Sequence, residues 1–383
     1  MKTGAWAGLA LVLLLSGCKG FWDAPTSNGG GGGGSTTASS GNIYVLNAAT
    51  DQIAGEYVNQ GTVTALPGSP YALPDAPIAI TVAPNGNFLY VSTASGIYLY
   101  TIASSGQLTL SNGGAPITSD PAATMQVDAT NSWLVEAVSG TGLLFAIPIN
   151  STTGGMTSTV EEQVALQGTA VQQLMISPDD LRVFVAMGSD GTAIVPFTSG
   201  ATNPFGTLTS IGVEKAGGAA ISVAVDPQNR LFYIGETAAV SGSNTGGLRA
   251  FNLATMKEIT GSPFASQGLA PYDILPWSTG SHVYVVNRQV SGSATGVIAG
   301  FSIASSSGVF SLTALGQTFA AGTHPVALAE DSTGTFAFAV NYDGGPDLTG
   351  YTQDTTNLGY LNSVVLAATG IDPVNATAIA AMP

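Results

Sequence analysis

The chain has 383 residues, 45% of them hydrophobic and only 8% charged, and its 8 basic against 23 acidic residues leave a net charge of −15. That balance excludes a nucleic-acid partner, whose phosphates require a basic surface, and it leaves no basic patch for anionic lipid. Cys18 is the single cysteine, which excludes an intrachain disulfide and leaves core burial and strand pairing to hold the fold.

The N-terminus reads as an export segment. Met1-Lys2-Thr3 precedes an apolar run from Ala5 to Leu15 and the ending Leu15-Ser16-Gly17-Cys18. A basic start, a short apolar stretch and small residues at a cleavage point mark residues 1–18 as a signal peptide, and the run is short for a membrane-spanning helix. The Leu-Ser-Gly-Cys ending resembles the bacterial lipobox. The resemblance implies lipidation of Cys18, and Lys19 in place of aspartate implies an outer-membrane destination at the cell envelope. Several acyl chains together anchor a protein firmly where one does not. Residues 19–40, with six consecutive glycines at Gly29–Gly34, read as a Gly/Ser-rich flexible tether with an r.m.s. reach of roughly 25 Å.

From residue 41 to residue 383 one pattern recurs: a short apolar strand, a turn rich in Pro, Asp, Asn and Gly, and a second strand rich in Tyr, Val and Phe. Its clearest copy runs from Ile78 through Pro84-Asn85-Gly86 to Tyr90-Val91. Five more copies place equivalent turn positions at Ala129, Pro178, Pro227, Ser278 and Ser332, spaced about 45 to 54 residues apart, which is the period of propeller blades. Weaker strand pairs follow each hairpin, such as Gly96–Ile102 with Gly106–Leu110, giving four strands per blade. The C-terminal stretch Pro373–Ala381 matches a first strand alone, and Asn42–Asn47 matches a second strand alone. The two ends complete a closing blade, counted below as blade 1. The expected fold is all-β, a seven-bladed β-propeller over residues 41–383, closed so that no sheet edge is left open around the ring.

First strands line the central channel of a propeller, so the starts of first strands and the ends of second strands meet on one face. The pattern brings Gln173, Glu236, Asp273, Asn287, Arg288, His324, Asn341, Tyr342 and Asp343 to that face, concentrated in blades 5 to 7. In a chain with so few charges this is the candidate ligand-binding set. Asn287 and Asn341 also suit the satisfaction of backbone groups at strand ends, Arg288 suits a structural pair with Glu236 or Asp273, and His282 reads as a surface residue. No Cys/His cluster, calcium-loop cadence or phosphate-binding Gly-rich loop appears, so neither a metal nor a cofactor is expected.

The segments Asn42-Ile-Tyr-Val-Leu-Asn47, Tyr284-Val-Val-Asn287 and Ala339-Val-Asn341 resemble the YVTN and lactonase-like (6-phosphogluconolactonase-like) seven-bladed propellers over about residues 41–383. The resemblance implies a lactonase. Hydrolysis of a lactone takes a base for water and a cation for the carbonyl, for which His324, Glu236 or Asp273 and Arg288 are the candidates. The Pro-Arg-His triplet of that branch is replaced at first-strand starts by Pro77-Ile-Ala, Ala122-Ala-Thr, Ala220-Ile-Ser, Pro271-Tyr-Asp and Pro325-Val-Ala. The first reading is therefore a lipid-anchored scaffold that binds an envelope protein, peptide or glycan. The alternative is a carboxylic ester hydrolase of a sugar lactone with its site on the channel face of blades 5 to 7.

Overall fold

A computed structural model describes residues 41–59, 62–242, 245–344, 346–354, 356–367 and 375–383. The export segment, Cys18 and the tether lie outside the described residues. Among the described residues no helix is long and apolar enough to cross a membrane.

Seven antiparallel sheets form seven blades, each with at least four strands. Blade 1 runs inside to outside as Ala376–Ala381, Asn42–Asn47, Gln52–Asn59 and Thr62–Ala65, so strands from the two ends of the body close it. Blades 2 to 7 follow in chain order, their inner strands being Pro77–Val82, Thr124–Val127, Gln173–Ile176, Ala220–Val225, Pro271–Pro276 and Pro325–Glu330. In the closing blade Val45 stands opposite Ile379 and Tyr44 opposite Ala380.

The burial patterns explain why this sequence makes blades. Second strands such as Asn42–Asn47, Phe88–Thr93, Trp133–Val138 and Phe336–Asn341 are buried at every position, because a neighbouring blade covers each of their two faces. They accordingly read as predominantly apolar runs without the period-two alternation of a half-exposed strand. Inner strands alternate instead: in Thr124–Val127 and Gln173–Ile176 every second residue is buried and the others face the channel. The core is distributed around the ring, with one apolar cluster at each of the seven junctions. Trp133, Val135 and Leu144 of blade 3 pack on Leu174, Val183 and Phe197 of blade 4, and Ile43 and Val45 of blade 1 pack on Phe336 and Phe338 of blade 7.

An inner strand is also the inner edge of its own sheet, so its outward N–H groups need partners from elsewhere. The preceding blade supplies them. Leu174 and Ile176 donate to Thr124 Oγ1 (3.1 Å) and Gln126 Oε1 (2.7 Å), and Val223 donates to Gln173 Oε1 (2.9 Å). Gln173 Nε2 then donates to Asp273 Oδ1 (2.8 Å), and Leu328 N to Asp273 Oδ2 (2.8 Å). Side chains thus clasp blades 3 to 7 through the channel wall.

Candidate functional site

Inner-strand starts and second-strand ends meet on one face, as the register shows: Pro271 is opposite Asn287, Pro325 opposite Asn341 and Pro77 opposite Thr93. A β-bulge recurs at this end of the inner strand, between Pro77 and Ala79, Ala220 and Ser222, Pro271 and Asp273, and Pro325 and Ala327. A bulge leaves one residue out of the ladder and re-aims its side chain. The residues so released, Ile78, Ile221, Tyr272 and Val326, all line a central cavity of about 690 Å³. Three are aliphatic; blade 6 presents a tyrosine.

Arg288 follows the last residue of the second strand of blade 6 and also lines this cavity. Its backbone N–H donates to Ala270 O (2.9 Å). Its guanidinium lies 5.0 Å from the ring centre of Tyr272 and 5.3 Å from that of Tyr342, and Nη1 donates to the Tyr272 hydroxyl at 2.9 Å. Two electron-rich faces fix the cation in place without neutralising it. None of the ion pairs among the described residues involves Arg288. The structural pair with Glu236 or Asp273 that the sequence suggests does not form.

His324 and Asp343 come together beside this mouth. His324 Nδ1 bonds Asp343 Oδ2, with the imidazole about one quarter exposed. Backbone bonds set the pair: Tyr342 N donates to His324 O (3.0 Å), and Asp343 N to Thr323 O (3.2 Å). His324 holds a left-handed φ of 48°, a strained conformation for a non-glycine residue. The pair therefore flanks Tyr342, while Tyr342 itself, not His324, belongs to the cavity wall.

Other members of the sequence-derived set have structural work. Glu236 is 1% exposed and pairs with Arg249 (Oε1 to Nη1, 2.9 Å), which also bonds Glu258 through Nε and Nη2 (3.0 and 2.8 Å). Burial works against the charge of Arg249, but the hydrogen bonds and charges of Glu258 and Glu236 outweigh it and hold its pKa above the ordinary range. For Glu258, burial raises the pKa, but the bonds from Arg249 and Ser262 outweigh it and hold it below the usual carboxylate range. Glu236 is consumed in this cluster, away from the cavity wall. Asp273 does line the cavity, yet its oxygens accept bonds from Gln173, Ile274 and Leu328. Burial outweighs those bonds and raises its pKa. Gln173 is likewise held by its clasps.

Asn287 and Asn341 are fully buried and satisfy backbone groups. Asn287 Nδ2 donates to Ser266 O (2.5 Å), while Asn341 accepts from Gly322 N (2.9 Å) and donates to Pro346 O (2.8 Å). Gly322 permits that approach, since a Cβ there would lie 2.6 Å from the Asn341 amide. His282 is not at the surface: it is buried, bonded to Ser281 Oγ (2.8 Å), and its pKa is lowered by burial. Tyr272 is the site residue that the repeat places on this face without distinguishing it; the signal lies in the bulge, which no residue pattern marks. No group of three or more His, Cys, Asp or Glu side chains among the described residues is arranged to hold a metal ion.

The fold is that of a seven-bladed β-propeller. Residues 39–173 match the family model described as Lactonase, 7-bladed beta-propeller, a stretch that ends before Tyr272, Arg288 and His324. Among solved structures, a Bacteroides uniformis protein provisionally assigned as a 6-phosphogluconolactonase is similar over 88% of this chain and 98% of its own, at 16% identity and a TM-score of 0.69. The Pseudomonas aeruginosa periplasmic gluconolactonase is similar over 89% and 99%, at 16% identity and a TM-score of 0.63. Hydrazine synthase of Kuenenia stuttgartiensis is similar over 86% and 94%, at 13% identity and a TM-score of 0.59. At such identities the likeness establishes the fold, and one fold carries many activities. A search of curated proteins finds no match.

Proposed function

We propose that the protein is an envelope-anchored hydrolase of a sugar lactone, acting at the channel mouth of blades 6 and 7. The observation that carries the reading is Arg288. In a chain with 8 basic residues, its guanidinium is held between two tyrosine rings in the wall of the cavity, with no ion pair among the described residues. A cation so fixed suits the carbonyl oxygen of a cyclic ester, whose negative charge grows in the transition state. His324, its Nδ1 engaged by Asp343, has Nε2 left to take a proton from water. Water oxygen bonds to the carbonyl carbon, the ring C–O bond breaks, and the proton passes to the departing ring oxygen. Arg288, after the second strand of blade 6, and His324, just before the inner strand of blade 7, would thus do what the Pro-Arg-His triplet does in the lactonase branch. The periplasmic gluconolactonase of the same fold supports this substrate class and an extracytoplasmic setting.

The wall also favours a second reading, binding of an envelope protein, peptide or glycan without turnover, because His324 stands outside the wall and Asp273 is fully engaged. A lactone-hydrolysis assay with the spontaneous rate subtracted separates the two. Turnover supports the hydrolase; saturable sugar binding with no turnover supports the scaffold. Anchoring through Cys18 is part of the proposal, and Cys18→Ala should move the protein from the membrane to the soluble fraction.

A further inference from the structure

We infer that the protein pairs with a second copy of itself, edge to edge, through the outer strand of blade 6. An outer strand presents unpaired N–H and C=O groups, and proteins blunt such edges with short strands, charges or prolines. Six blades follow that rule. Their outer strands are Thr62–Ala65, Leu108–Leu110, Glu162–Ala165, Thr209–Ile211, Lys257–Glu258 and Leu361–Ala367, of two to seven residues. The outer strand of blade 6, Val309–Thr323, has 15. Together with its neighbour Thr295–Ser306 it lies in a stretch, Val290 to Thr323, that contains no Asp, Glu, Lys, Arg or Pro.

The register shows which backbone groups are free. Ile303 N donates to Ser281 O (2.8 Å) on the side of the preceding strand. By the alternation of an antiparallel ladder, Phe301, Ile303 and Ser305 turn their backbone groups to that side. Their partners across the outer hairpin are Ala314, Leu312 and Phe310, which therefore turn N–H and C=O outward. A bulge between Ala299 and Phe301, with Gly316 at φ 80°, ends the run. Beyond it blade 7 covers the edge: the Tyr360 and Tyr351 hydroxyls donate to Leu315 O (3.1 Å) and Ala320 O (2.8 Å). Among the described residues, no backbone hydrogen bond reaches the outward groups of Phe310, Leu312 or Ala314.

This run is complementary to itself. A two-fold axis at Leu312 sets Phe310 opposite Ala314 of the second copy and Leu312 opposite its own equivalent, an isologous contact in which three residue pairs each exchange two backbone bonds. Charge selects the occupant. Two molecules of net charge −15 repel one another except where a long uncharged stretch meets its like, and a charged peptide would find no opposite charge along the run. Arg230, over the Phe310 ring at 5.9 Å, is already paired with Asp226 at 2.7 Å. Val309 at the hairpin tip is 68% exposed and would be covered in the pair.

Sedimentation velocity of the full chain over a concentration series in detergent tests this. The wild type should pass from monomer to dimer as concentration rises. Ala314→Pro deletes an outward N–H that makes no bond within the blade and should weaken the dimer at least tenfold, with the circular dichroism spectrum unchanged. Thr313→Lys, which sets a lysine opposite Ser311 of the other copy on each side of the axis and two like charges at diagonal positions, should do the same should the proline variant fail to fold. A Ser311→Cys/Thr313→Cys double variant should form a covalent dimer on oxidation beyond any that wild-type Cys18 gives. A wild type that stays monomeric throughout, or a dimer that folded Ala314→Pro and Thr313→Lys leave intact, would overturn the inference.

Discussion

Two arginines in adjacent blades show how one residue type takes opposite roles. Arg249 of blade 5 is 6% exposed and surrounded by acids, with Glu236 and Glu258 in direct bonds and Glu214 at 3.7 Å. Arg288 of blade 6 is half-buried in a cavity wall, steadied by tyrosine rings and paired with no acid among the described residues. The surroundings of Arg249 neutralise its charge; those of Arg288 hold the charge in place and leave it available. A neutralised buried cation serves the fold, and an available one in a concave wall serves a ligand.

The largest effect should come from breaking the neutralised cluster. Arg249→Met strands Glu236 and should cost about 3–5 kcal/mol of stability, seen as a sharp fall in Tm, while any folded fraction keeps the specific activity of the wild type. Loss of activity without loss of Tm would invert the comparison.

Glu136 sharpens the same contrast from the acid side, for it is a buried carboxylate without a cation. It is 0% exposed, and neither carboxyl oxygen has a partner among the described residues. Burial, with the charges of Glu161 and Asp120, raises its pKa to about 8. The folded state therefore holds this proton after the unfolded chain has released it. The resulting stabilisation is complete below the ordinary carboxylate range and is lost as pH climbs through about 8. Glu136→Gln should flatten that decline, gaining on the order of 2–4 kcal/mol over wild type at pH 9. Thermal unfolding across pH 5 to 9 (flanking that value by roughly a unit or more) measures it, and parallel wild-type and variant curves would count against a buried neutral acid.

The available cation needs a base. His324→Gln should lower kcat about a hundredfold with little change in Tm. Asp343→Asn tests Asp343 as a positioning residue: it should lower kcat more than it raises KM and shift the pH profile of kcat. Equal kcat and pH profile in both variants would remove the pair from the chemistry and favour binding without turnover. The smallest effect belongs to the aromatic support. Tyr342→Leu removes one ring from Arg288, worth about 0.5–2 kcal/mol, and should cost a few-fold in kcat/KM; an unchanged value would mean that Tyr272 alone suffices.

The blades were legible because second strands are buried on both faces and so are predominantly apolar, and because the turns need Pro, Asp, Asn and Gly at a fixed period. The meeting of first-strand starts with second-strand ends followed from that period, and it put Arg288, His324, Tyr342 and Asp343 on one face. What the period could not convey is direction. Glu236 sits at the same strand end as Asn287 and Asn341, yet Arg249, a strand away, turns it into the blade. Asp273 reads as a site acid, but an inner strand has edge N–H groups to satisfy, and the clasp from Gln173 to Leu328 claims it. Tyr272 reaches the mouth through a bulge, a backbone irregularity with no side-chain signature. His282 looks exposed at a strand start, but a glycine at Gly359, where a Cβ would lie 2.3 Å from its ring, lets blade 7 close over it.

The most direct test of the site is the hydrolysis of a panel of 1,4- and 1,5-aldonolactones by wild type and Arg288→Met, corrected for spontaneous opening. Enzymatic turnover by wild type is expected, with a fall in kcat/KM of roughly 10²–10³ in the variant at unchanged Tm. Turnover that Arg288→Met leaves intact, or a wild-type rate no faster than the spontaneous one across the panel, would contradict that expectation.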